Sequence, residues 1–162
     1  MAWLITEPSK AGFQAITDTS TTQNHNIGTV VEANDPTYGN GAFIYLKGVA
    51  STAAGDVVTY DLKGNSTFRA TTSSPVYGPV GVAMSANVAS QYGWYKIRGA
   101  AVVNAATVAA NACAQITGTA GTIDDTTTAT RYIDGMLIQV ADGTPSAGKC
   151  VCLLHYPQCN LR

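Results

Sequence analysis

Charge is scarce in this sequence. Asp, Glu, Lys and Arg make up only 12% of the 162 residues, and nine basic against ten acidic groups leave a net charge of -1. Soluble domains ordinarily carry about twice that share. No run of Lys and Arg is present that could release counterions from a phosphate backbone, which argues against nucleic acid as a partner. Long apolar runs are missing too: nothing approaches the ~18 uninterrupted apolar residues of a membrane-spanning helix. Met1 to Lys10 carries Glu7 and Pro8 where a secretory signal needs a basic region followed by an apolar one. The expectation is a chain made in the cytoplasm, with no membrane partner. A surface this poor in charge lacks the repulsion that keeps monomers apart, which favours self-association.

Chemistry-bearing residues are few. Walker loops, dinucleotide fingerprints and EF-hand loops are all lacking, so no cofactor is expected. Histidine is limited to His25 and His155. His25 lies in the polar run Thr17 to Asn26, where a solvated loop histidine is the ordinary reading. The spacing Cys150, Cys152, His155, Cys159 has metal-ligating types close together. On a strand, however, Cys150 and Cys152 share one face and His155 takes the other, which defeats a common tetrahedral ion. With Cys113 these cysteines do not spread like a disulfide framework, so free thiols are expected. Asp124, Asp125 and Asp134 could be imagined as paired carboxylates, yet Asp124-Asp125 reads as ordinary turn chemistry. No nucleophile comes with a base and an oxyanion site, so the chain is not expected to be an enzyme.

What is present is a period of two. Ala42 to Val49, Asp56 to Asp61, Gly81 to Met84, Trp94 to Arg98, Met136 to Val140 and Lys149 to Tyr156 are short, rich in β-branched and aromatic residues, and bounded by turn formers. Turns are expected at Lys63 to Ser66, Thr72 to Pro75, Gly78-Pro79 and Ala141 to Pro145. The Ala-rich stretch Val102 to Ala114 is broken by Asn104, Thr107 and Asn111 and reads as extended or loop. The class is all-β: an antiparallel β-sandwich or barrel of one domain.

Two parts of that domain read alike, about 47–97 and 98–156. Lys47 to Ala50, Ala53 to Thr59, Gly81 to Met84 and Trp94 to Ile97 find counterparts in Arg98 to Ala101, Ala109 to Gln115, Gly135 to Ile138 and Cys150 to Leu153. Two similar β units packed together would cover each other's apolar sides. Chance likeness between simple Ala, Thr and Gly segments is the alternative reading.

Residues 1–40 read as an irregular N-terminal arm, and 41–162 as the β domain. The arm has too few periodic hydrophobic residues to fold alone, so its apolar side chains must dock on this subunit or on a partner. Residues expected at an interface are Trp3, Leu4, Ile5, Phe13, Ile16, Tyr38, Tyr92 and Trp94. In Tyr92 to Arg98, alternation puts Tyr92, Trp94 and Lys96 on one face and Tyr95 and Ile97 on the other. Such a strand suits a core cover or an interface centre better than a sugar platform.

The order Ala54-Gly55-Asp56-Val57-Val58, Pro79 to Met84, Gly93 to Gly99 and Thr119 to Asp125 resembles the capsid decoration, or cement, proteins of tailed bacteriophages. The resemblance spans about Gly41 to Tyr156 and consists of Gly-bounded strands. It implies a structural virion protein, usually a homotrimer, on the outer capsid surface, with the major capsid protein as partner and no active site. A phage tail or fibre module recognising a surface glycan is the alternative, and a glycan-degrading or lysis enzyme the third reading.

Overall fold

The computed structural model describes residues 4–5, 12–61, 67–72, 77–126 and 131–161. Trp3 and most of the turns expected at Lys63 to Ser66 and Thr72 to Pro75 lie outside them. Among the described residues the chain is all-β, as its alternation predicts, with eleven strands in one antiparallel network. These are β1 (Leu4–Ile5), β2 (Val30–Asp35), β3 (Gly39–Lys47), β4 (Val57–Tyr60), β5 (Thr67–Arg69), β6 (Gly78–Ala83), β7 (Tyr92–Asn104), β8 (Cys113–Ile116), β9 (Ile123–Asp124), β10 (Arg131–Val140) and β11 (Lys149–Leu161). Val102 to Ala114 is the end of β7, a loop and the start of β8.

The network contains one arrangement twice. In the first unit β3 pairs with the start of β7, β7 with β6, β6 with β4 and β4 with β5. In the second, the end of β7 pairs with β11, β11 with β10, β10 with β8 and β8 with β9. Matching turns repeat in atomic detail. Gly55 N–H donates to the Ala83 carbonyl at 2.8 Å and Ala83 N–H to Asp56 at 2.9 Å; Asn111 N–H donates to Ile138 at 2.7 Å and Ile138 N–H to Ala112 at 3.1 Å. Gly55 and Asn111 both have positive φ, 90° and 65°, which glycine adopts freely and asparagine tolerates. The spatial match differs in register from the sequence match at the outer strands. Lys47 faces Tyr92 just as Asn104 faces Lys149, so the structural counterpart of Lys47 is Asn104 and not Arg98.

β7 belongs to both units, and β6, β7 and β11 all pair with one another, closing a circuit of main-chain hydrogen bonds. Closure requires the strands to bend. Leu154 faces Gly99 on one side and Met136 on the other, and beside this line lie the positive-φ residues Gly99, Gly135 and Tyr156. A Cβ at Gly99 would meet the Asn40 carbonyl oxygen at 2.5 Å, and one at Gly135 the His155 oxygen at 2.6 Å. Glycine is therefore required at both bends for space as well as for φ.

The largest core draws on both units, including Val57, Val82, Val103, Ile116, Ile138 and Leu154. The β3–β7 pair is buried on both faces. Ala42, Ile44, Leu46, Tyr95 and Ile97 face one side; Phe43, Tyr45 and Trp94 face the other, where Val31 and Ala33 of the neighbouring β2 lie beside them and Ile16 packs into the same cluster. These packing partners come from the region read as an arm. Residues 30–35 form β2, whose hairpin with β3 runs across the division at residue 40.

Candidate interaction surface

The N-terminal segment is held by Gln14. Its N–H donates to His25 Nε2 at 3.1 Å, and its carbonyl accepts from Trp94 Nε1 at 2.9 Å. Its side-chain oxygen accepts from the Tyr45 hydroxyl and Asn24 Nδ2, and its Nε2 donates to the Asp18 and Tyr92 carbonyls. Phe13 stacks on His25 at 4.5 Å, and His25 meets the edge of Tyr45 at 5.0 Å. His25 is thus partly buried in an aromatic cluster, where the sequence suggested a solvated loop. Burial pushes its pKa below the ordinary value.

This packing settles where most of the expected interface residues lie. Ile16 and Trp94 are 0% exposed in the subunit's own core, so neither can reach a partner from the folded chain. Phe13 and Tyr92 are half-buried against the same cluster. Tyr38 is half-buried at the tip of the β2–β3 hairpin, where Asp35 Oδ1 accepts from its N–H. Leu4 and Ile5 form β1, paired with Asn34 and Ala33. With Trp94 enclosed, the aromatic strand has no exposed platform centred on that ring for stacking a sugar.

The buried carboxylate of Asp56 is held by other parts of the chain. Asp56 accepts from Ala53 N–H, Arg69 Nε and Asn104 Nδ2 at 2.7 to 2.9 Å, and Lys149 Nζ donates to Asn104 Oδ1 at 2.6 Å. Arg69 also donates to the Ala120 carbonyl. The buried carboxylate thereby joins the two units, as buried charges require partners. Cys150, Cys152 and Cys159 are buried in the core while His155 is exposed, so these groups do not converge. Cys150 and Cys152 share a contact of 3.6 Å between sulfurs; the hydrogen bond to Cys150, together with burial, pushes Cys152 above the usual thiol range.

The second unit presents a different surface. On its outer face Ala100, Leu153, Leu137 and Cys113 lie side by side on β7, β11, β10 and β8, each facing the next across the ladder. Leu137 and Leu153 are each 41% exposed, and Cys113 is exposed. Beside the row the β8–β10 register slips between Tyr132 and Leu137, opening a hollow of about 320 Å³ bounded by Tyr132, Met136, Leu137, Leu153 and His155. Two leucines cross-strand on a solvated face are costly to hydrate, and the adjoining hollow is large enough for a partner's side chain. Sequence reasoning read these strands but not this row, because alternation alone does not tell which strands become neighbours.

No family model matches the chain, and no curated protein or solved structure shows significant similarity to it.

Proposed function

We propose that this chain is a structural virion protein: a decoration or cement subunit that binds the major capsid protein on the outer surface of a phage head and stabilises the shell. The carrying observation is the exposed row of Leu137 and Leu153 beside its hollow, an apolar contact surface on a subunit with little charge. The resemblance of Ala54 to Val58, Pro79 to Met84, Gly93 to Gly99 and Thr119 to Asp125 to the decoration proteins suggests the partner. Trimerisation belongs to the proposal, since three weak contacts acting together bind far more tightly than one. The role needs no cofactor and no catalytic group.

Truncation to residue 40 would be a poor test, because it removes Ile16 and Val31 from the core. The double substitution Leu137→Glu/Leu153→Glu alters only exposed side chains. The variant should keep the native circular dichroism spectrum and lose co-sedimentation with shells from the same source. A folded variant that still co-sediments at wild-type stoichiometry would remove the proposed surface; a wild-type chain that ignores shells would remove the function.

A further inference from the structure

The two units differ at one edge. In the first, Tyr45 of β3 donates its N–H to the Thr29 carbonyl at 2.9 Å and accepts from Gly28 N–H at 2.8 Å, where the chain leads into β2. Since Lys47 answers to Asn104, the counterpart of Tyr45 is Val102. Main-chain groups of successive residues on a strand point alternately to its two sides. Asn104 N–H turns away from β11 and donates to the Gly55 carbonyl at 2.9 Å, while the N–H and C=O of Lys149 opposite it bond to Ser146 and Gly143. Two residues back, Val102 therefore also directs its N–H and C=O away from β11. Beyond Arg98, β7 pairs with β11 alone among the described residues, so these two groups meet no strand. The reason is connectivity. β3 is preceded by β2, whereas the matching end of β7 is preceded by the start of β7, which already serves the first unit.

A hollow of about 300 Å³ occupies the place of the missing strand, with Val102 and Met84 in its wall, the hairpin tip at Asp35 and Tyr38 closing one end and Gly55 the other. Its lysines are engaged within the chain, Lys96 Nζ with the Ala100 carbonyl and Lys149 Nζ with Asn104 Oδ1, so charge does not select the occupant. We propose that this hollow receives a short extended segment of a different polypeptide, added antiparallel to β7 as β2 is added to β3. The residue opposite Val102 exchanges two main-chain hydrogen bonds with it, and its side chain lies on Val102's face. Strand addition of this kind takes its affinity from the main chain, and an N–H and a carbonyl beside apolar walls gain by being paired. The closed ends admit a few residues and keep out the edge of a folded sheet. A second copy is a poor source, because β1 is already paired with β2 and the end of β11 with β10. The slot goes beyond the capsid reading and does not depend on it.

Hydrogen exchange and a peptide titration test the slot on 15N-labelled protein. In the free chain the Val102 amide should exchange much faster than those of Ala101 and Val103, which face β11. Acetyl-Thr-Val-Thr-amide at millimolar concentration should give saturable amide shifts at Gly55, Met84 and Val102 and slow the exchange of Val102. The same peptide N-methylated at its valine lacks the donor and should bind about tenfold more weakly or worse. Val102→Pro deletes the outward N–H at a position where an edge strand accepts proline, so it should keep the native circular dichroism spectrum and lose the probe. Should that variant not fold, the N-methylated peptide makes the same deletion from the other side. A Val102 amide already protected in the free chain, no saturable shift, or equal binding of the N-methylated peptide would overturn the slot. Protection that grows with protein concentration in the absence of peptide would assign the edge to a second copy and overturn the proposed source.

Discussion

Trp94 donates its indole N–H to the main-chain carbonyl of Gln14 across 2.9 Å of space and 80 residues of sequence. This bond and the side-chain contacts of Gln14 attach the N-terminal segment to the strand shared by both units. Gln14→Ala leaves the backbone contacts and deletes four side-chain ones; it should cost about 1–3 kcal/mol in urea unfolding. Trp94→Phe keeps most of the ring's burial but leaves a part-buried carbonyl without its donor, and should cost a similar amount. A loss below a few tenths of a kcal/mol in both would mean the segment is held by other contacts.

The His25 position carries a pH dependence. Its folded pKa is lowered by burial from an unfolded value of about 6.5, and Nε2 accepts a hydrogen bond that only the neutral ring can accept. The unfolded chain therefore takes up the proton first. Stability contributed by neutral His25 is present above about pH 6.5 and is lost as pH falls below it, levelling off beneath the folded pKa. Urea midpoints measured from pH 7.5 to 5 should fall more steeply in the wild type than in His25→Gln. Parallel curves would exclude the linkage.

Lys96 acts in the opposite range. With a folded pKa of about 8 against an unfolded value of about 10.4, the unfolded state binds more protons between them, so stability rises with pH across that window. The gain should be about 1–3 kcal/mol. It is opposed from about pH 8.5 by Cys152 and Cys159, whose buried thiols hold their protons, and above pH 10 by Tyr45 and Tyr60, so the Lys96 contribution is read between pH 8 and 10 as the difference between the wild type and a variant without Lys96. The Asp35→Asn/Lys96→Met protein should lack this contribution and lose stability relative to the wild type from pH 8 to 10. A rise of equal size in that variant would assign the effect to another group.

The bends offer a control for backbone strain. Gly99→Ala and Gly135→Ala each combine an unfavourable φ with a Cβ closer than 3 Å to a carbonyl oxygen, and each should cost about 2 kcal/mol or more, or abolish folding. Gly143→Ala has φ +93° but open space around it, and should cost about 1 kcal/mol. Equal melting temperatures for all three would contradict the packing argument.

Several strands were legible from alternation alone, and the reason is local: in β3, β4, β6, β7, β10 and β11 apolar side chains that face the core recur along the pleat. β5, β8 and β9 were not, being two to four residues long. β2 was hidden because Glu32, Asn34 and Asp35 interrupt its pattern; its pairing with β3 and the cover of Trp94 outweigh that composition. The interface residues read from the N-terminal region were chosen for being apolar, a property shared by core and contact side chains alike.

By itself, the sequence determined the class of the fold, because the period of two and the turn residues constrain each strand within a few neighbours along the chain. Gly55 and Asn111 both suit a turn that needs positive φ. Tertiary structure decided what sequence spacing cannot. Whether Trp94 faces solvent or Gln14, whether Lys47 matches Arg98 or Asn104, and whether Leu137 and Leu153 become neighbours all depend on pairings between strands far apart in the chain. Those pairings were selected by which apolar faces could be buried together and where Gly99 and Gly135 let the strands turn.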